Sequence, residues 1–255
     1  GAQRTNRGVD VSGGGVAHII HSTVAQVAHA TDASGITSKQ CAVCANGSTL
    51  DIQRSTLTMS GDGSISEQGT GVIASDAGVI SISNSVLINN ESADHSLINH
   101  NGGSLSVSHS NLIGLGPSMA NGSAGVNTTV VAKVWNSLFQ NLPIGLNLSL
   151  TDAANGSQVY GNVFDSVSRL ALCKNAGAVT GITEFNATGC DGNASFGGNS
   201  VGSCPLQSDE LHLNAGVANA CIGSALASSP AGLAASVDVD QDPRAAPFDV
   251  GPDEI

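Results

Sequence analysis

His95, His100, His109 and Lys133 recur at short intervals through the middle of the chain. A histidine or lysine beside a second cation is what removal of a proton next to a uronate carboxylate requires: the base takes the proton and the cation neutralises the carboxylate. His109 and Lys133 are therefore candidate catalytic residues for a polysaccharide lyase or epimerase acting on acidic polysaccharide. Hydrolysis of the polygalacturonase type is disfavoured, because it needs paired carboxylates and the chain contains no Asp-Asp pair. Trp135 and Tyr160 are the only tryptophan and the only tyrosine. Aromatic faces stack on sugar rings, which makes the two a candidate carbohydrate-binding pair. In the acidic stretch SVDVDQDPRAAPFDVGPDEI (236–255), Asp238, Asp240 and Asp242 have the alternating spacing of carboxylates that converge on calcium, with Asp249 further along. Pro243 stands where an EF-hand loop needs glycine, so that motif is excluded. The simpler alternative pairs Arg244 with these carboxylates.

Six cysteines, Cys41, Cys44, Cys173, Cys190, Cys204 and Cys221, form an even set that suits an oxidising compartment. Fifteen pairings are possible. Short loops close most readily, which favours Cys41–Cys44, Cys173–Cys190 and Cys204–Cys221. The rival for CAVC (41–44) is a zinc site, which has this ligand spacing but lacks a following histidine pair.

The scaffold for these groups is legible in composition and repetition. Only 11% of the 255 residues are charged and 3% aromatic, while glycine reaches 32, which disfavours both a helical bundle and a disordered chain. A net charge of −12 with eight scattered Lys and Arg residues argues against nucleic acid and against an anionic membrane surface. No apolar run is long enough to span a bilayer. The start GAQRTNRGVD lacks a signal-peptide core, so the chain reads as a mature product or a trimmed piece.

A six-residue pattern recurs as IIHSTV (19–24), IQRSTL (52–57), ISNSVL (82–87), VSHSNL (107–112), VWNSLF (134–139) and VYGNVF (159–164). The template is apolar, any, turn residue, Ser or Asn, any, apolar, at intervals of 33, 30, 25, 27 and 25 residues. Each unit is too long for one strand and carries no helical periodicity, so it must hold several short strands joined by turns. Stacked units predict an all-β parallel β-helix of the right-handed type. The column His21, Arg54, Asn84, His109, Asn136, Gly161 is then a corner, where Asn, Gly and His tolerate left-handed backbone angles and Arg54 fits least well. The next column, Ser22, Ser55, Ser85, Ser110, Ser137, Asn162, stacks inward and hydrogen-bonds along the axis. Ile82, Leu87, Val134 and Phe139 line the interior, and Ser83 and Val86 face out. GVIAS (71–75), HSLIN (95–99) and IGLNLSL (144–150) supply other faces of the coils, and RLALC (169–173), GITEF (181–185) and GGNSVGSCP (197–205) supply further coil segments.

The tail carries a resemblance. DVDQDPR (238–244) followed by FDVGPDE (248–254), with DELHLNAGVANACIG (209–223) upstream, is similar to the closing signature of bacterial surface proteins with parallel β-helix repeats, the choice-of-anchor Q family. Those tails read D-x-D-G-x-P-R and then D-I-G-A-D-E; here Gln241 and Pro252 replace glycine and alanine. The resemblance covers about 45 residues and implies a secreted or cell-surface β-helix, with no uniform activity.

These readings predict coils over 1–205 and an irregular, proline-containing closing segment over 206–255 of the same domain, crossing the end of the solenoid. The functional expectation is a secreted or cell-surface structural or adhesive solenoid that self-associates through open ends into a fibre or matrix. The alternatives are the lyase or epimerase and a non-catalytic carbohydrate-binding module. Eight Asn-x-Ser/Thr sequons, beginning at Asn46, Asn90, Asn121, Asn127, Asn147, Asn155, Asn186 and Asn193, are expected in a chain so rich in Asn and Ser.

Overall fold

A computed structural model describes residues 7–28, 41–61, 71–90, 95–115, 122–149, 156–191, 195–209, 211–227, 240, 242–243 and 248–252. Strands come in triplets. β1 (Arg7–Ser12), β2 (Val16–Ile20) and β3 (Thr23–Ala28) form the first. β4 (Cys41–Asn46), β5 (Ser48–Gln53) and β6 (Thr56–Gly61) follow, then β7 (Gly71–Ser75), β8 (Gly78–Ser83) and β9 (Val86–Asn90). β10 (Ser96–His100), β11 (Ser104–Ser108) and β12 (Asn111–Gly114) precede β13 (Ala124–Thr128), β14 (Ala132–Trp135) and β15 (Leu138–Gln140). The sixth triplet is β16 (Ile144–Leu148), β17 (Gln158–Tyr160) and β18 (Val163–Asp165). Each member of a triplet joins a different sheet, and corresponding strands pair in parallel from one triplet to the next. The chain is a parallel β-helix.

The corner prediction holds at every position. His21, Arg54, Asn84, His109 and Asn136 have φ of 50°, 49°, 47°, 46° and 46°, and Gly161 has 64°. Arg54 adopts the angle despite its long side chain, whose buried Nε has no hydrogen-bond partner among the described residues.

The serine column behind the corner is a continuous ladder. The amides of Ser22, Ser55, Ser85 and Ser110 donate to the Oγ of Ser55, Ser85, Ser110 and Ser137 on the next coil at 3.1–3.3 Å. Ser137 and Asn162 continue it to Asn162 Oδ1 and Asn199 Oδ1 at 3.0 Å. Each of Ser55, Ser85, Ser110 and Ser137 also donates its hydroxyl to the carbonyl two residues back at 2.8 Å. A single small side chain thereby satisfies a neighbour's buried amide and its own coil's carbonyl, which a bulkier residue has no room to do.

Apolar columns fill the space enclosed. Ile52, Ile82, Val107, Val134 and Val159 stack in register in the second sheet, and Leu57, Leu87, Leu112, Phe139 and Phe164 in the third. All belong to one core. Toward the C-terminal end the column becomes aromatic: Phe139 and Phe164 stack with centroids 5.0 Å apart. The opposite wall recedes to make room, since a Cβ at Gly125 or Gly145 would lie 2.6 Å or 2.7 Å from those rings.

The C-terminal end differs from expectation. β19 (Arg169–Cys173) continues the first sheet, but β20 (Gly177–Val179) pairs with it antiparallel. The GITEF stretch, expected as coil, opens the helix α1 (Ile182–Thr188). Phe185 of α1 packs edge-on against Phe164 and Phe196 at 5.4 Å and 5.1 Å, closing the core. Asn186 of α1 closes the ladder by hydrogen-bonding the backbone and side chain of Asn199. β21 (Phe196–Gly197) and β22 (Ser200–Val201) then complete a seventh copy of the template, FGGNSV, with Gly198 at φ 65° in the corner.

The described residues of the closing segment lie elsewhere than across this end. They return along the outer face of the third sheet, where Leu206, Leu211, Leu213 and Val250 cover Val86, Ile88, Ile113, Leu138 and Val163. Those outward positions are apolar and would otherwise meet water, so their burial is what holds the segment there. The three expected disulfides form, with Cα–Cα distances of 5.6, 5.4 and 5.5 Å, and the zinc reading of CAVC is overturned because Cys41 is bonded to Cys44.

Replacing one rung tests the ladder. Ser85→Ala leaves the buried Ser55 amide without its acceptor and should cost about 1–3 kcal/mol. Ser83→Ala, on the outer surface two residues away, should change stability by less than about 0.5 kcal/mol. Urea denaturation of both variants measures the difference.

Candidate functional site

The four basic candidates do not share a face. Lys133 lies on the outer side of the second sheet, half-buried, in register with Ser106 and Gln158. His109 is buried in the corner column, and its Nε2 is 3.1 Å from Asn136 Nδ2. His95 is buried just before β10, and His100 points into the solenoid. The lyase arrangement expected for His109 and Lys133 is not assembled by these positions.

The inward turn of His100 has a local cause. In the first sheet the usual alternation breaks, and consecutive residues such as Val72 with Ile73 and Leu97 with Ile98 both enter the core. That resets which later residue faces inward, and His100 is enclosed between Ser75 and Thr128, its register partners. Neither ring nitrogen has a hydrogen-bond partner among the described residues. Burial holds its pKa down at about 4.

Trp135 and Tyr160 are neighbours in register, as their spacing predicts. Trp135 is nevertheless only 1% exposed and presents no platform to an external sugar. Tyr160 is half-buried and lies over Gly197. The aromatic pair proposed from sequence is thus reduced to one partly accessible ring.

The acidic tail is engaged within the closing segment. Asp240 Oδ2 lies 3.0 Å from His212 Nε2, and the other ring nitrogen of His212 contacts Asp209. Burial would raise the Asp209 carboxyl, but the His212 side chain, the Leu211 and His212 amides and the His212 charge together bring it below the ordinary value. Asp249 is buried and accepts the Gly223 amide. Asp242 is exposed, and Asp238 and Arg244 lie outside the described residues. Among the described residues no group of three or more His, Cys, Asp or Glu side chains is arranged to hold a metal ion; the expected calcium set Asp238, Asp240, Asp242 includes Asp238, which lies outside them.

A pocket of about 100 Å³ opens beside the Cys41–Cys44 disulfide, lined by Asp10, Ser12, Asn46 and Asp76 among others. Sites for small molecules usually enclose about 300–1,000 Å³, and this one is too small to enclose a sugar unit. Asn46 and Asn90 are exposed sequon asparagines; Asn127 and Asn147 stand half-buried on the first sheet, where Asn127 Nδ2 donates to Asn99 Oδ1 at 3.3 Å. Asn121, Asn155 and Asn193 lie outside the described residues. No helix among the described residues is long and apolar enough to cross a membrane.

The enclosed imidazole of His100 makes acid stability predictable. Its folded pKa is depressed, so the unfolded chain binds the extra proton between pH 6.5 and about 4, and stability is lost as pH falls through that window. The full loss is on the order of 3 kcal/mol. His100→Leu should flatten the dependence of Tm on pH between those limits, read by circular dichroism melts. Comparison of the chain with protein-family models, curated proteins and solved structures finds no match.

Proposed function

We propose that the chain is a structural, adhesive or matrix β-solenoid of the cell surface or extracellular space, which joins end to end with further β-structure through its N-terminal coil. The observation that carries this reading is the difference between the two ends. β1, β2 and β3 each stand last in their sheet, and among the described residues no strand pairs with their outer edges. Beneath those edges lies an apolar layer of Val9, Val11, Ala17, Ile19 and Val24, of which Val9, Ala17 and Val24 are only partly covered. Unpaired edges over an apolar layer are a template for another set of strands. The opposite end is closed by β20 and α1, so joining uses the N-terminal end alone.

Other features point the same way. Three disulfides suit an oxidising, extracytoplasmic setting. The outer side of the second sheet carries small polar side chains, among them Ser81, Ser83, Ser106 and Ser108, at the regular spacing of a β-ladder. The tail's resemblance to choice-of-anchor Q surface proteins supports the same location.

Negative-stain electron microscopy and sedimentation velocity over a concentration series test the reading. The expected particles are rods of about 60 Å, two units joined through their N-terminal coils, each the span of seven strands spaced about 4.8 Å apart. Ile19→Lys, which places a charge in the end layer, should shift them to single units. A monodisperse monomer of the unaltered chain at the highest attainable concentration would sink the proposal.

A further inference from the structure

The corner column that turns each coil also holds the closing segment. Asn136 makes a two-bonded pair with the Leu226 backbone: the Leu226 amide donates to Oδ1 at 2.9 Å, and Nδ2 donates to the Leu226 carbonyl at 3.0 Å. This pair decides which end of the Asn136 amide is oxygen and which is nitrogen, because a flipped amide would oppose donor to donor and acceptor to acceptor. The same Nδ2 lies 3.1 Å from His109 Nε2. That ring nitrogen must therefore accept, which a neutral imidazole does and an imidazolium cannot. His109 is 2% exposed, leaving water little access to substitute for the bond.

We propose that His109 is an acid-operated catch for the C-terminal segment, which stays docked while Nε2 is an acceptor and is released when that nitrogen takes up a proton. Protonation sets Nε2–H against the Nδ2 hydrogens of Asn136. Asn136 can relieve the conflict only by turning its amide, and turning opposes both Leu226 bonds at once. The disturbance reaches the last described stretch, because the Gly251 amide donates to the Asn136 carbonyl at 2.9 Å and Gly251 packs against Asn111 Oδ1.

The column neighbours of His109, Asn84 and Asn136, are neutral. Among the described residues, titratable or charged groups on the surrounding elements include Arg54 beyond Asn84, Lys133 on β14, Tyr160 beyond Asn136, and Asp249 in the closing segment, which accepts the Gly223 amide. The sign follows from the tautomer: docking needs the neutral ring, so the contribution is present while Nε2 is unprotonated and is lost as acid protonates it. The Cys204–Cys221 disulfide holds residues 205–220 beside the last coil, where the Cys204 amide donates to Asp165, so release acts on the described residues after Cys221. Release lifts Val250 from the cluster it forms with Leu138 and Val163 on the third sheet.

Hydrogen exchange read by mass spectrometry on the full chain, at about pH 7.5 and about pH 5.5 with rates corrected for intrinsic chemistry, tests the catch. The Leu226 and Gly251 amides should exchange at least about tenfold faster at the lower pH while the sheet amides keep their protection. His109→Asn, which keeps a left-handed corner as at Asn84, should abolish the difference. Asn136→Asp should reverse it, because a carboxylate accepts from the Leu226 amide and from a protonated His109 together. Equal corrected rates in the unaltered protein overturn the proposal, as does a pH difference that survives His109→Asn. Simultaneous loss of sheet protection also overturns it, because the whole solenoid is then opening. If the variants do not fold, the nitrogen-15 resonance of His109 Nε2 near neutral pH decides: an unprotonated nitrogen supports the catch and a protonated one overturns it.

Discussion

Every coil of this solenoid must reverse direction within a single residue, and the amide that follows the reversal must find an acceptor inside the wall. The left-handed corner solves the first problem and the serine ladder the second. Because each rung takes its acceptor from the coil above, register is fixed at the corner and then inherited by all three sheets. The apolar columns stay aligned for that reason, and shifting one coil by a residue would break the ladder and misplace the columns together. Stability accumulates by coil, since ordering costs about 1–2 kcal/mol per residue and a lone coil cannot recover it by burying a handful of aliphatic side chains.

The same economy of positions explains why groups that look chemical turn out to be structural. His109 and Asn136 occupy corners because their side chains tolerate the backbone angle, and their polar atoms are then used to dock the closing segment. Asp165 accepts the Cys204 amide and the Gln140 side chain, tying the start of that segment to the third sheet. Asp209, His212 and Asp240 join two parts of the segment to each other. Asp240 and Asp249, spaced as if for a cation, here bond within the closing segment, to His212 and to the Gly223 amide.

The sequence displays what repeats and hides what happens once. Six corners, the ladder behind them and the inward aliphatic columns were all legible, because each position is seen several times in the same role. Loop length was enough to pair the cysteines. The seventh template copy, Phe196–Val201, escaped notice because β20 and α1 are inserted before it and stretch the interval. α1 itself was read as coil, since seven residues are too few for a helical period to stand out and its only buried side chain is Phe185. Orientation was the other loss. A period of two places Trp135 outward, yet it is enclosed; and the broken alternation in the first sheet turns His100 inward. Neither fact is local to the residues concerned, so no short window of sequence contains it.

The lateral position of the closing segment bears on how the chain is made. The outer apolar strip of the third sheet is laid down from β9 to β18, whereas Leu206, Leu211, Leu213 and Val250, which cover it, come last. During synthesis the coils emerge and pair with an oily flank still bare, and the cover arrives only with the residues from 206 onward. A chain halted before that point presents a sticky ribbon running from β9 to β18, the kind of surface that draws nascent molecules together.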